Sequence, residues 1–407
     1  GLGWVISNES FFEPLTNVIQ YLKVRGTWGQ VGNSQISGRR FAYLATVTDS
    51  SSTSYTFGKN MDQNYGTTAI DEYAVDVTWE VADKTDIGVD MRLLNNKLNL
   101  QFDYFKESRE GIYLRRSSIP SYVGMINNPY GNIGKVENKG FELSVNYANS
   151  WGGDWSLSLM GNYSFNRNKV LEDDSTVVYP WQNTIGNKVG QRFGLVALGL
   201  FESYGEIAAS PVQTGDTRPG DIKYKDINGD GKIDEYDKVP IGWGSVPEIM
   251  YGFGFSVGWK NLSLTAMFQG AAHVDAMLSG EGVLPFSQGS SRGNLLSNIT
   301  DRWTEENPRQ NAFYPRLSIG NINMNYEEST WWLKDTDYLR LKNIELSYRL
   351  PDHWMKRIHL DNARIFIQGV NLLTFSSFKI WDVELGDGRG ARYPNIASVS
   401  LGVNFNF

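Results

Sequence analysis

From Asp337 to Leu350 apolar and polar side chains alternate, with Leu339 and Leu341 set against Arg340 and Lys342. A period of two demands a β-strand with one dry face. At Asn343 the phase slips by one residue, and Ile344, Leu346, Tyr348 and Leu350 carry the apolar face onward, the mark of a β-bulge. The chain end repeats the pattern: Val399, Leu401, Val403, Phe405 and Phe407 alternate with Ser398, Ser400, Gly402, Asn404 and Asn406. The second face is wet. A half-exposed strand of a soluble sandwich and the wall of a transmembrane β-barrel both accommodate such a strand, so the remaining strands decide.

Upstream the design recurs. Leu22, Val24 and Trp28 alternate with Lys23, Arg25 and Thr27 in a strand over Tyr21 to Gln30, and Arg39 to Gly66 reads as a long loop with a small hairpin near Phe41 to Val47. A strand from Val75 to Leu94 turns at Asn95-Asn96 into Leu98, Leu100, Phe102 and Tyr104. Phe141, Leu143, Val145 and Tyr147 pair with Trp155 to Phe165 across Asn149 to Asp154, and Tyr251 to Trp259 pairs with Leu262 to Phe268 across Lys260-Asn261. Gly252, Gly254 and Gly258 on the wet face of this third hairpin leave room for close approach from inside. Pro351 to Asn362 links the Tyr338 strand to Ala363 to Leu373.

The links alternate in length. Short ones fall at Asn95, Asn149 to Asp154, Lys260 and Pro351 to Asn362; long ones at Lys106 to Lys139, Asn166 to Met250, Gly270 to Thr336 and Ser376 to Ile396. Outer-membrane barrels combine short periplasmic turns with long outer loops, and counting back from a periplasmic C-terminus puts every short turn on that side. Trp151, Trp155, Trp259, Phe405 and Phe407 gather at the low ends of strands, and Tyr104, Tyr163, Phe165 and Phe375 at the high ends, as two girdles do. The expected fold is therefore all-β: a transmembrane antiparallel β-barrel with long extracellular loops. About ten strands with such loops suit the C-terminal part of a 22-stranded barrel with a plugged lumen. A complete ten-stranded barrel is the alternative.

Composition excludes several classes. Among 407 residues there is no Cys, which removes disulfide frameworks, thiolate metal sites and Cys nucleophiles. The net charge of −7 argues against nucleic acid as a partner. No run of about 18 apolar residues forms a membrane-spanning helix. The chain opens on Gly1-Leu-Gly-Trp4, without Met or signal peptide, as part of a longer protein would.

One motif carries ligand chemistry. Asp226, Asn228 and Asp230 put oxygen donors at positions 1, 3 and 5 of a calcium loop, Gly231 permits the turn at 6, Lys232 offers its carbonyl at 7 and Asp237 stands at 12. Asp237 replaces the usual bidentate Glu, with Asp234 as an alternative acting through water, and a solvated acidic turn is the plainer reading. A structural Ca2+ that stiffens an outer loop is expected. Trp181, Trp243, Trp331, Trp332 and Trp381 lie in the long loops and either stack on sugar rings or anchor the loops. Asp90, Arg92, Asp103, Glu142, Arg340, Lys342 and Arg364 fall on wet faces and are expected to line the lumen. No nucleophile motif or His/Asp constellation points to an enzyme, although a surface hydrolase or adhesin built on a small barrel is a competing class.

Several stretches taken in order resemble one family. Tyr21-Leu-Lys-Val-Arg-Gly-Thr-Trp-Gly-Gln-Val-Gly-Asn33, Thr78-Trp-Glu80 followed by Asp86-Ile-Gly-Val-Asp90, Gly134 to Glu142, Asp226 to Asp234, Trp332 to Pro351 and Gly369 to Phe375 are similar to strands and turns of the SusC/RagA family of TonB-dependent outer-membrane transporters. The resemblance covers nearly the whole chain. It implies that residues 1–407 form the C-terminal part of the receptor barrel, with the plug and the energy-coupling region encoded upstream. It further implies import of oligosaccharides or oligopeptides driven by TonB, without covalent chemistry. The implied surroundings are outer-membrane lipid, a SusD-like surface lipoprotein on the outer loops, and a dimer of transporter–lipoprotein pairs. Family habit and the loop tryptophans favour a glycan as cargo, with Trp243, Trp331, Trp332 and Trp381 as its contacts.

Overall fold

A computed structural model describes residues 1–34, 41–287, 297–357 and 360–406. Phe407 and part of the loop expected from Arg39 lie outside the described residues. One antiparallel sheet dominates, its strands following each other in chain order. They are β1 (Leu2–Val5), β2 (Ile19–Asn33), β3 (Glu80–Leu93), β4 (Leu98–Arg115), β5 (Tyr130–Trp151) and β6 (Trp155–Glu172), then β7 (Ile249–Trp259), β8 (Leu262–Ala272), β9 (Tyr338–Arg349), β10 (Asn362–Ser376) and β11 (Ser398–Asn406). The ten expected strands are all present; β1 adds a short eleventh. β1 and β11 do not pair, so the described strands form an arc of wall and not the complete ten-stranded barrel.

Three expectations are corrected. The stretch Lys106 to Lys139 is mostly strand, because β4 and β5 stay paired up to Arg115 and Tyr130. The loop read from Arg39 to Gly66 carries a two-stranded ribbon that runs on beyond it, Thr46–Phe57 against Gln63–Glu72, and not a hairpin near Phe41. The glycines of β7 are only partly open to the lumen: Gly252 lines a concavity on the wet face, but a Cβ there would stand 2.6 Å from Asn162 Oδ1, and one at Gly258 would stand 2.4 Å from Ser156 Oγ. Side chains of the neighbouring strand take up part of that space.

The bulge is where the phase slip put it. Leu341 pairs with Phe268 and Asn343 with Met267, which leaves Lys342 as the extra residue. Opposite it, β10 skips Asn371 and Leu372, with Asn371 at a φ of +53°.

Side chains sort by face. Phe253 is 43% exposed and Leu401 77%, and among the described residues no second sheet covers them. Ile87, Phe102, Leu159, Leu264, Leu346 and Ile367 are likewise exposed. Apolar groups left out of a core on this scale need lipid, not water, on that face. Trp155 and Trp259 pair across β6 and β7 with ring centroids 6.0 Å apart, and at the far end Phe141 lies 5.8 Å from Phe165. From Trp259 to Ile249, which pairs with Phe165, a tilted strand climbs about 25 Å, the height of a barrel's apolar band.

The buried hydrophobic core lies elsewhere. Leu195, Leu200, Ile222, Tyr224, Met277, Trp303, Tyr314, Trp332, Phe378 and Val383 come from the three outer loops 173–248, 273–337 and 377–397 and pack together. Short pairings fold two of these loops on themselves: 192–194 with 239–241 and 197–200 with 222–224 in the first, and 275–277 with 333–335 in the second. The outer loops are thus a folded cap with its own interior.

Candidate functional site: the lumen wall and the outer cap

The concave face is polar and largely self-paired. Arg25 on β2 bonds Asp86 at 3.0 Å, lies 3.6 Å from Asp90 and also bonds Asp103 on β4. Arg364 bonds Glu345 at 2.8 Å. A concavity of about 630 Å³ is lined by Gln101, Asp103, Glu142, Asn162, Gln269 and Lys342, among others, and Asp90 and Arg92 border a second one. The expected lumen-lining residues therefore meet on one hydrated surface, where water and mutual pairing carry their charge.

Arg340 differs. It is 2% exposed, donating to Thr374 Oγ1 at 3.0 Å and Asp382 at 2.9 Å, with Glu384 at 3.2 Å. The loop after β10 is thereby clamped onto β9.

One ion cluster sets the cap on the wall and a second holds the cap together. Glu248, just before β7, accepts two hydrogen bonds from Arg167 at 3.0 and 2.7 Å, and Lys188 and His273 each approach within 3.2 Å. Burial pushes this carboxyl up, but those donors outweigh it and hold it below the ordinary range. Within the cap, Asp221 receives both Nε and Nη2 of Arg316 at 2.9 Å, Asn325 at 2.8 Å and Asn323 at 3.1 Å. This cluster joins two loops a hundred residues apart in sequence. Burial lowers the pKa of Lys334, which donates to Trp331 O at 2.7 Å.

The loop tryptophans are mostly structural. Trp332 is 1% exposed with its indole N–H on Asn325 O at 2.7 Å, so it belongs to the cap interior and is closed to a ligand; the expectation of a sugar contact there is corrected. Trp331 donates to Phe313 O at 3.2 Å, and Trp381 packs edge-on against Phe378 at 5.2 Å. Trp181 anchors Tyr236 O at 2.8 Å. Trp243 alone of these five is substantially exposed, at 42%, but one of its faces stacks on His273 at 3.9 Å. Its main-chain N–H donates to Asp275 Oδ2, and burial raises the pKa of that acid against this bond and the one from Gly244.

The 226–237 loop folds as a tight turn. Asp226 accepts from Gly229 N at 2.6 Å and Gly231 N at 2.9 Å, and Asp230 accepts from Lys232 N at 2.9 Å. Gly231 has a φ of +82°, as position 6 requires. Asp237 is 0% exposed and spends its oxygens on Ile227 N at 2.7 Å and Asp234 N at 2.9 Å. Among the described residues no three His, Cys, Asp or Glu side chains are grouped to hold a metal by themselves. A cation here would rely on Asn228 and the Lys232 carbonyl beside Asp226 and Asp230.

Comparison with known proteins adds a family. A model described as "TonB dependent receptor-like, beta-barrel" matches residues 15–372. TonB-dependent receptor P3 of Formosa agariphila is 28% identical over 100% of this chain and 41% of its own length. TonB-dependent receptor SusC of Bacteroides thetaiotaomicron is 26% identical over 100% of this chain and 39% of its own. The chain thus spans about two fifths of these curated relatives. Among solved structures, the RagAB peptide transporter superposes with a TM-score of 0.72 at 21% identity, covering 100% of this chain and 43% of that one, which places the fold.

Proposed function

The chain belongs to the TonB dependent receptor-like β-barrel family of the outer membrane, and from that premise we propose that it supplies wall and outer cap to a transporter importing large water-soluble nutrients, energised through TonB. The observation that carries this reading is the pairing of a lipid-facing apolar surface with an ion-paired concave one beneath a folded cap. Porin-like leakage needs no such cap. Proteins named as receptors and transporters are its relatives, and no covalent step is assigned to it.

The cargo is an oligosaccharide or an oligopeptide. With Trp331, Trp332 and Trp381 engaged inside the cap, aromatic stacking gives the glycan less support than the loops' composition suggested. The charged wall around Arg25, Asp86, Asp90 and Asp103 suits peptide groups at least as well. A strain lacking the gene, grown on defined polysaccharides and on peptides of graded length, is expected to lose growth on one class only. Growth unchanged on every source would overturn import.

A SusD-like surface lipoprotein docking on the cap, within a dimer of such pairs, belongs to the same proposal. Tyr204, Val212, Val246 and Ile319 of the cap are exposed apolar groups for such a contact. Calcium in the 226–237 loop belongs to it too, supported by the oxygen spacing and by the turn at Gly231. Terbium added to the purified full-length protein is expected to luminesce through Trp181 and Tyr236 beside the loop. Asp226→Ala with Asp230→Ala should abolish that signal and speed proteolysis of the loop with the wall intact. An unchanged signal and digestion rate would remove the metal.

A further inference from the structure

Just beyond the upper aromatic row, the lipid-facing side carries cations in register. Tyr104, Phe141 and Phe165 pair across β4, β5 and β6, and two residues further along each strand Lys106 pairs with Lys139 and Lys139 with Arg167. No register shift intervenes between these pairs, so the three cations project from the same face as the aromatic rings. Their side chains are 50%, 55% and 46% exposed. Lys169 stands on the next row, and Lys188 reaches the carboxylate that Arg167 holds.

Like charges directly opposite one another on adjacent strands repel. Glu137 compensates part of this, at 2.8 Å from Lys106 and 3.5 Å from Lys139, and Glu248 takes Arg167 and Lys188. Asp83, at the far end of the second row, is bonded by Gln30 at 2.8 Å. Cations still outnumber carboxylates five to three, in a chain whose net charge is −7. The excess sits where the apolar band ends, at the depth of lipid headgroups.

We propose that the row Lys106–Lys139–Arg167 is a binding site for the phosphate of a membrane lipid in the outer leaflet, whose acyl chains lie along Phe102, Tyr104, Phe141 and Phe165. Arg167 uses Nε and Nη2 on Glu248, and Nη1 remains to meet a phosphate oxygen. The Lys106 and Lys139 ammonium groups add point charge beside it. A lipid fits better than a free ion because cations and rings are continuous along each of three strands. The site concerns the outside of the wall and stands apart from cargo import: its failure would leave growth on the imported nutrient untouched.

The test uses the full-length transporter purified in mild detergent and reconstituted in phosphatidylcholine nanodiscs doped with phosphatidic acid. Native mass spectrometry is expected to show retained phosphatidic acid, with about tenfold weaker retention in Lys106→Gln/Lys139→Gln/Arg167→Gln. The charge-conserving Lys106→Arg/Lys139→Arg variant should retain lipid near the parental level, and Arg364→Gln on the concave wall should behave as the parent. Equal retention by the triple variant, with its heat-resistant migration in electrophoresis unchanged, would overturn the site. Displacement of the lipid by millimolar inorganic phosphate would overturn the lipid as its occupant. Should the triple variant fail to assemble, Lys139→Gln alone decides: reduced retention supports the site, parental retention refutes it.

Discussion

Phe253→Arg is expected to cost about 2–4 kcal/mol of wall stability and to strip most of the protein from the membrane fraction. Phe253 lies midway along β7, 43% exposed, and its ring stacks on Phe268 at 4.9 Å. A guanidinium placed there would sit near the middle of the apolar band, too far from either interface to reach water readily. About 1.4 kcal/mol is a factor of ten in an equilibrium, so the ratio of folded to unfolded protein would fall by roughly one and a half to three orders of magnitude. Ser158→Arg is the matched control. Ser158 pairs with Ser256 on the concave face of the same pair of strands, where an added charge meets water and other polar groups. Urea unfolding in vesicles should show a large loss for Phe253→Arg and a change within about 1 kcal/mol for Ser158→Arg. Equal losses would mean that the faces are not sorted between lipid and water.

That sorting was legible in the chain because lipid imposes a period of two over many residues. The strands carrying Leu339, Phe253 and Leu401 were read from alternation alone, and even the extra residue beside Asn343 showed as a slip in phase. Where the strands leave the membrane the signal fades. β4 and β5 run on past Lys106 and up to Lys139 through Glu107, Ser108, Asn138 and Glu137 with both faces wet, so nothing in the pattern marks them as strand. β1 is four residues long, too short for any period. The cap was illegible for another reason. Its interior gathers single residues such as Leu195, Leu278, Trp332 and Val383 from three loops, and only long-range contact decides which aromatic is buried. Trp332 and Trp243 look alike in sequence and have opposite surroundings. The basic row Lys106–Lys139–Arg167 needs the cross-strand register, which sequence spacing does not supply.

Arg316→Ala should loosen the cap by about 3–5 kcal/mol while leaving the wall assembled. The Asp221 side chain is 2% exposed and that of Arg316 19%, and the two make paired hydrogen bonds of 2.9 Å. Truncating the arginine leaves a carboxylate in the cap interior with only neutral donors, the Asn323 and Asn325 amides and Arg218 N at 2.8 Å. Such an uncompensated buried charge costs far more than the pair itself contributes. The double substitution Asp221→Asn/Arg316→Met removes both charges while keeping the volume and the amide-acceptor geometry, and it should recover at least half of the loss. Asp221 and Arg316 join the loop 173–248 to the loop 273–337, so their separation should expose Trp332 and Trp303 together. Quenching of tryptophan fluorescence and limited proteolysis follow this directly, and infrared strand content reports the wall. A single variant no more sensitive than the parent, or a double variant no better than the single, would show that the cap is held by apolar packing alone. The predicted result makes the outer cap a unit that yields separately from the wall beneath it.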